Sequence, residues 1–221
     1  MPWIPVASFS ADPQVARYGP EGFSEIDITG CVAANHRIIS QLLLAREEVR
    51  MTGHGTDLTI RLPGQRQPSS RTHPDLLPDR PICPGVPTPA LTVSGTLRTD
   101  PVPVVKHREL NGARADRFRA AAEIAEKIRK SGPLRLRIEG NRFADGSGPF
   151  ADGIRATGAP EYRGAVTEVA IGTGVLSADR VDWSLNCLLD AGAAGVRLGV
   201  GNGLTGRHFD SISPGARLDT L

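Results

Sequence analysis

The chain has 221 residues, of which 39% are hydrophobic and 23% charged, with a formal net charge of +2 at pH 7. That length buries a sizeable core in a single domain, and so small a net charge excludes nucleic-acid binding by bulk electrostatics. No apolar run approaches the roughly 20 residues that span a bilayer, so no membrane partner is expected.

The opening MPWIPVASFSADP lacks the cationic and apolar regions of a signal peptide, which points to a cytoplasmic protein. Cys31, Cys83 and Cys187 are scattered without CxxC spacing, as expected of small core thiols in a reducing compartment. With 25 glycines and 18 prolines, short strands and turns are favoured over a helical bundle.

In chain order, residues 1–30 are rich in Pro, Gly and acids and read as an irregular N-terminal extension to one domain over 31–221. From Val32 to Val49, the residues Ile38, Ile39, Leu42, Leu43 and Ala45 recur at helical spacing, with Ser40 and Gln41 on the solvated side, and Gly53 lies just beyond the expected end. Leu58, Ile60 and Leu62 alternate with Thr59 and Arg61, predicting a half-buried strand closed by Pro63-Gly64. Residues 63–90 hold eight prolines and form a Pro-rich loop, of a length that is usually functional or mobile. Thr92 and Val93 start another strand.

Residues 113–130 predict a second helix with Phe118, Ala121, Ile124, Ala125 and Ile128 as its apolar stripe. Its Arg and Lys residues make either a basic surface for an acidic partner, in a structural or regulatory subunit, or simply a solvated face, and the plainer reading is preferred. Leu134, Leu136 and Ile138 alternate with charged residues ahead of a Gly140-Asn141 turn, and residues 165–171 read as a further strand. Ser177 caps an expected short helix through Val181, Leu185, Leu188 and Leu189, ended by Gly192. Val196, Leu198 and Val200 mark a strand, and residues 207–212 a final short one. Strands predominate and the helices do not alternate regularly with them, so the expected class is α+β, a mixed, strand-rich sheet with a few packed helices.

Gly201-Asn202-Gly203-Leu204-Thr205-Gly206 spells GxGxxG, but a dinucleotide site also needs a helix and a second strand bearing an acid. Pro214 follows too soon and no room remains before Leu221. His36, His54, His73 and His107 have no companion at ligand spacing. The arrangement with chemical content is His208-Phe209-Asp210: residues i and i+2 of a strand share a face, so imidazole and carboxylate project together. Such a pair holds a divalent ion if a third ligand comes from elsewhere. Glu168 is the candidate, because a carboxylate amid the apolar neighbours of VTEVAI is costly without a partner.

The order GTDLT, TEVAIGTG, GVRLGVGNG, HFDSIS resembles the catalytic domain of the thermophilic metallo-aminopeptidases, of the aminopeptidase T type, from about residue 33 onward. The resemblance implies that Glu168, His208 and Asp210 occupy ligand positions of a two-metal site. Two further ligands are missing. Arg197 stands where the family has the histidine of an H-x-A-F-G segment, and Pro84-Gly85-Val86-Pro87-Thr88-Pro89 has no acid where the family has a glutamate. A guanidinium about 4 Å from a cation costs on the order of 4 kcal/mol per unit of metal charge at an effective dielectric near 20. It also neutralises Glu168 or Asp210 directly.

The expectation is therefore a charge-balanced site with no cofactor, a remnant metal position on Glu168, His208 and Asp210, and no catalytic residue. A single divalent ion such as zinc there, serving a metal-dependent aminopeptidase with a reduced site, is the alternative. The expected activity is peptide binding at Arg197, Gly199, Gly201 and Glu168. The glycines would leave that face of strand 196–200 open, either to strand addition or to capture of an acidic or C-terminal carboxylate at Arg197. The chain is also similar to small stand-alone peptide-binding proteins of ribosomal-peptide pathways such as crocagin biosynthesis. That resemblance implies a ribosomal precursor peptide and its modifying enzymes as partners, and the aminopeptidase family's habit of dimerising implies a homodimer.

Overall fold

The computed structural model describes residues 21, 24, 26–45, 47–61, 92–100, 104–105, 113–144, 148, 151–153, 165–172, 180–182, 193–201 and 208–219. The Pro-rich stretch 63–90, the short helix expected from Ser177 to Gly192 apart from residues 180–182, and most of the N-terminal extension fall outside them.

Helix α1 runs Ile28–Leu44. Asp27 caps it, its Oδ1 accepting the Gly30 amide at 2.9 Å and so satisfying one of the free N-terminal donors. At the other end Ala45 turns to extended backbone. The helix expected to reach Val49 thus stops short, and Glu48–Gly53 is a strand, β1. The reason lies in the period. Val49 and Met51 are buried while Glu48 and Arg50 are exposed, a two-residue alternation inside a run of good helix formers. Pairing with the next strand decides between the two.

That strand, β2, spans Thr56–Arg61, and Val49 faces Ile60 while Met51 faces Leu58. His54 and Gly55 join β1 to β2 with φ values of 50 and 82, the left-handed pair that a tight hairpin needs. Beyond β2 lie β3, Thr92–Thr99, and β5, Leu134–Glu139. Next to β5 is the two-residue β6, Arg142–Phe143. With β10, Arg217–Leu218, they form an antiparallel six-stranded sheet in the order β10-β1-β2-β3-β5-β6. Helix α2 runs Ala113–Ser131. Its Ile128 is fully buried, and Ile124 and Ala125 pack against the core.

The smaller sheet has the order β4-β9-β8-β7. Its strands are β4, Val104–Val105, β7, Val166–Gly172, β8, Gly195–Gly201, and β9, His208–Pro214. The apolar faces of the two sheets share one core, Leu58, Ile60, Leu97 and Leu136 on one side and Val169, Val196, Leu198 and Phe209 on the other. Polar bonds cross between them. Thr56 Oγ1 and Ser213 Oγ lie 2.6 Å apart, and the buried Thr99 hydroxyl donates to the Ile212 carbonyl at 2.9 Å. The fold is α+β, with the short β4, β6 and β10 added to the strands that alternation predicts. Two residues are too few to show a period.

Candidate functional site

Strand β8 organises the site. It lies between β7 and β9, antiparallel to both. Gly199 is the register partner of Glu168 on one side and of Asp210 on the other. The three residues therefore form a row across the sheet on one face, with the two carboxylates flanking a residue that has no side chain. Arg197, two residues back along β8, shares that face. Its guanidinium reaches both acids: Nη1 donates to Asp210 Oδ2 at 3.2 Å, and Nη2 lies 3.5 Å from Glu168 Oε1. The register places Ala170 and Ile212 on either side of Arg197, and both are buried, so the aliphatic stem runs through apolar surroundings to a charged head.

A bulge sets the direction of Glu168. The β7–β8 register shifts between Val166 and Glu168, leaving Thr167 as the extra residue. Thr167 Oγ1 donates to the Gly201 carbonyl at 2.6 Å. The bulge lets Val166 and Val169 both enter the core although three positions separate them, and it sends Glu168 to the other face with Arg197. The spacing of those two valines in VTEV is the sequence signal for it.

The side chains of Arg197, Glu168 and Asp210 are 13%, 23% and 6% exposed. Glu168 is the most accessible member. The two carboxylates and one guanidinium leave the row with a formal charge of −1. Of the six residues expected to form a site, Glu168, Arg197, Gly199 and Asp210 are thus brought together, and Gly201 lies two residues further along β8 on the same face. His208 begins β9, with Gly201 as its register partner, and its side chain lies outside the described residues. Among the described residues no three His, Cys, Asp or Glu side chains are grouped as metal ligands.

Two expectations are corrected. The face carrying Arg197, Gly199 and Gly201 is not open: both glycines are buried, as are Ala170 and Ile212 beside them. Strand addition at β8 is also excluded, since β7 and β9 already take its hydrogen bonds on both edges. The segment after β8 leads to β9, its antiparallel neighbour, whereas a dinucleotide fingerprint opens a helix.

The model of the family described as Crocagin biosynthetic protein CgnE/B matches residues 87–220, a span that takes in the whole Glu168–Arg197–Asp210 row. No curated protein matches the chain. Among the described residues no helix is long and apolar enough to cross a membrane.

Proposed function

The chain belongs to the crocagin biosynthetic protein CgnE/B family, and from that premise we propose that it binds a peptide without hydrolysing it, presenting a ribosomal precursor to the modifying enzymes of such a pathway. The observation that carries this reading is the guanidinium of Arg197 set between the carboxylates of Glu168 and Asp210. In a two-metal hydrolase those carboxylates would serve cations that ionise a water and stabilise the oxyanion. Here an arginine on the neighbouring strand supplies the countercharge. A divalent ion placed there would meet both a repulsive fixed charge and carboxylates already engaged. The position descends, on this reading, from a metallo-aminopeptidase domain whose chemistry has lapsed.

The sign of the local charge also selects what the row would bind. An arriving carboxylate would have to displace Glu168 or Asp210 from Arg197. An amino group, by contrast, is attracted to Glu168, the most exposed of the three at 23%. The peptide terminus read by this chain is therefore an ammonium, held by Glu168 beside the Gly199 and Gly201 backbone of β8, while Arg197 holds the carboxylate in place. Calorimetry with the pathway's precursor peptide, unblocked and N-acetylated, tests the reading. Binding that survives acetylation unchanged sinks the ammonium role, and turnover of an aminopeptidase substrate on adding zinc or cobalt sinks the non-catalytic one.

A further inference from the structure

The six-stranded sheet turns its second face to solvent, and the charges on that face are unevenly spread. Over β1 and β2 they are balanced: Arg50 forms two hydrogen bonds with Asp57, at 2.8 and 2.7 Å, and Arg61 lies 3.8 Å from Glu48. Over β3, β5 and β6 they are not. Among the described residues Arg98, Arg135 and Arg137 point outward there, against Asp100 and Glu139.

Arg98 and Arg135 are direct register partners across β3 and β5. Like charges directly opposite on neighbouring strands are destabilising, yet the rest of β3 on this face is neutral, with Thr92, Ser94 and Thr96. The two side chains converge at the β1–β2 turn. A methyl group built on Gly55 would lie 3.2 Å from Arg98 Cδ and 3.5 Å from Arg135 Nη2. Asp100 takes up Arg98, at 3.1 Å, and Glu139 pairs with Arg137. Among the described residues Arg135 has no carboxylate partner. The fold thus holds an exposed guanidinium beside a second one, at a place where a neutral residue would be more stable.

We propose that this end of the outer face is a receptor for carboxylates of an acidic polypeptide segment, with Arg135 as its centre and Arg98 and Arg137 on its flanks. The guanidinium fork matches a carboxylate two bonds at a time, and an extended acidic segment lying along β5 repeats its same-face side chains at about 6.7 Å, the spacing of Arg135 and Arg137 on that strand. A nucleic-acid strand fits less well. Among the described residues the face carries no Phe, Trp or Tyr on which a base could stack, and Asp57, Glu48, Asp100 and Glu139 interrupt any path for a phosphate backbone. The surface is separate from the Glu168–Arg197–Asp210 row, which belongs to the other sheet.

Fluorescence anisotropy with a labelled octaglutamate peptide in low salt tests the proposal on the full chain. Wild-type protein should bind it, and Arg135→Gln with Arg137→Gln should weaken binding about tenfold or more, the loss of at least one of two charge-assisted pairs. Arg61→Gln, at the balanced end of the same face, should leave binding within about twofold. Arg135→Gln alone should also raise the melting temperature by relieving the opposition with Arg98, which shows that weakened binding is not unfolding. The proposal is overturned by absent binding, by an equal loss in Arg61→Gln, by a lowered melting temperature in Arg135→Gln, or by tighter binding of oligothymidylate than of octaglutamate.

Discussion

Replacing Arg197 by methionine keeps an unbranched stem among Ala170 and Ile212 and removes only the guanidinium. Its head groups lie 3.5 Å from Glu168 and 3.2 Å from Asp210, so each attraction is worth about 5 kcal/mol before desolvation at an effective dielectric near 20. Most of that offsets the cost of taking three charges out of water, so the ion pairs add little net stability. Removing the cation alone is different, because it leaves two carboxylates, 23% and 6% exposed, flanking Gly199 without the guanidinium that bridges them. Breaking a buried pair in this way costs about 3–5 kcal/mol, which for a chain of this size lowers the melting temperature by roughly 6–20 °C. Urea unfolding at pH 7 measures the loss. Glu168→Gln and Asp210→Asn added to Arg197→Met should recover most of it, since the three residues act as one unit. A loss below about 1 kcal/mol in the single variant, or no recovery in the triple one, refutes the claim that Arg197 supplies the countercharge of the row.

Arg197→His should convert the row into a ligand set and raise zinc affinity above that of the parent protein, measured by metal analysis after dialysis. Asp27→Ala removes the cap that accepts the Gly30 amide and should cost about 1 kcal/mol, read from thermal unfolding. The hydrogen bonds from Arg50, opposed by partial desolvation, hold the Asp57 carboxyl below its ordinary value. Its contribution to stability is therefore present above the unfolded carboxylate value, near 3.9, and lost as pH falls through the lower folded one. Acid titration of unfolding should be shallower over that window in Arg50→Gln.

Much of the sheet was legible because period two is unambiguous where charged and apolar residues alternate strictly, as from Leu134 to Glu139. Period fails where both readings share residues. Glu48, Val49, Arg50 and Met51 continue a helical composition, and only the partner strand makes β1 of them. The site was legible in part for the same reason. Parity along a strand places His208 with Asp210 and Arg197 with Gly199, and the cost of an unpartnered acid singles out Glu168. That Glu168 and Asp210 both face Gly199 depends on register, which is a property of three strands together. Parity also says which face a residue takes but not what covers it. Hence Gly199 and Gly201 suggest an open surface from sequence and are buried in the fold. The crowding of Arg98 against Arg135 had no sequence signal, since the two lie on strands separated by helix α2.

The central claim is that the chain holds a peptide and does not cut it. Titrating the precursor peptide into metal-free protein by calorimetry, then incubating the complex with zinc and following the peptide by mass spectrometry, addresses both halves at once. The account predicts saturable binding that Glu168→Gln weakens, with the peptide mass unchanged. Loss of amino-terminal residues from the peptide, abolished by Glu168→Ala, would contradict it.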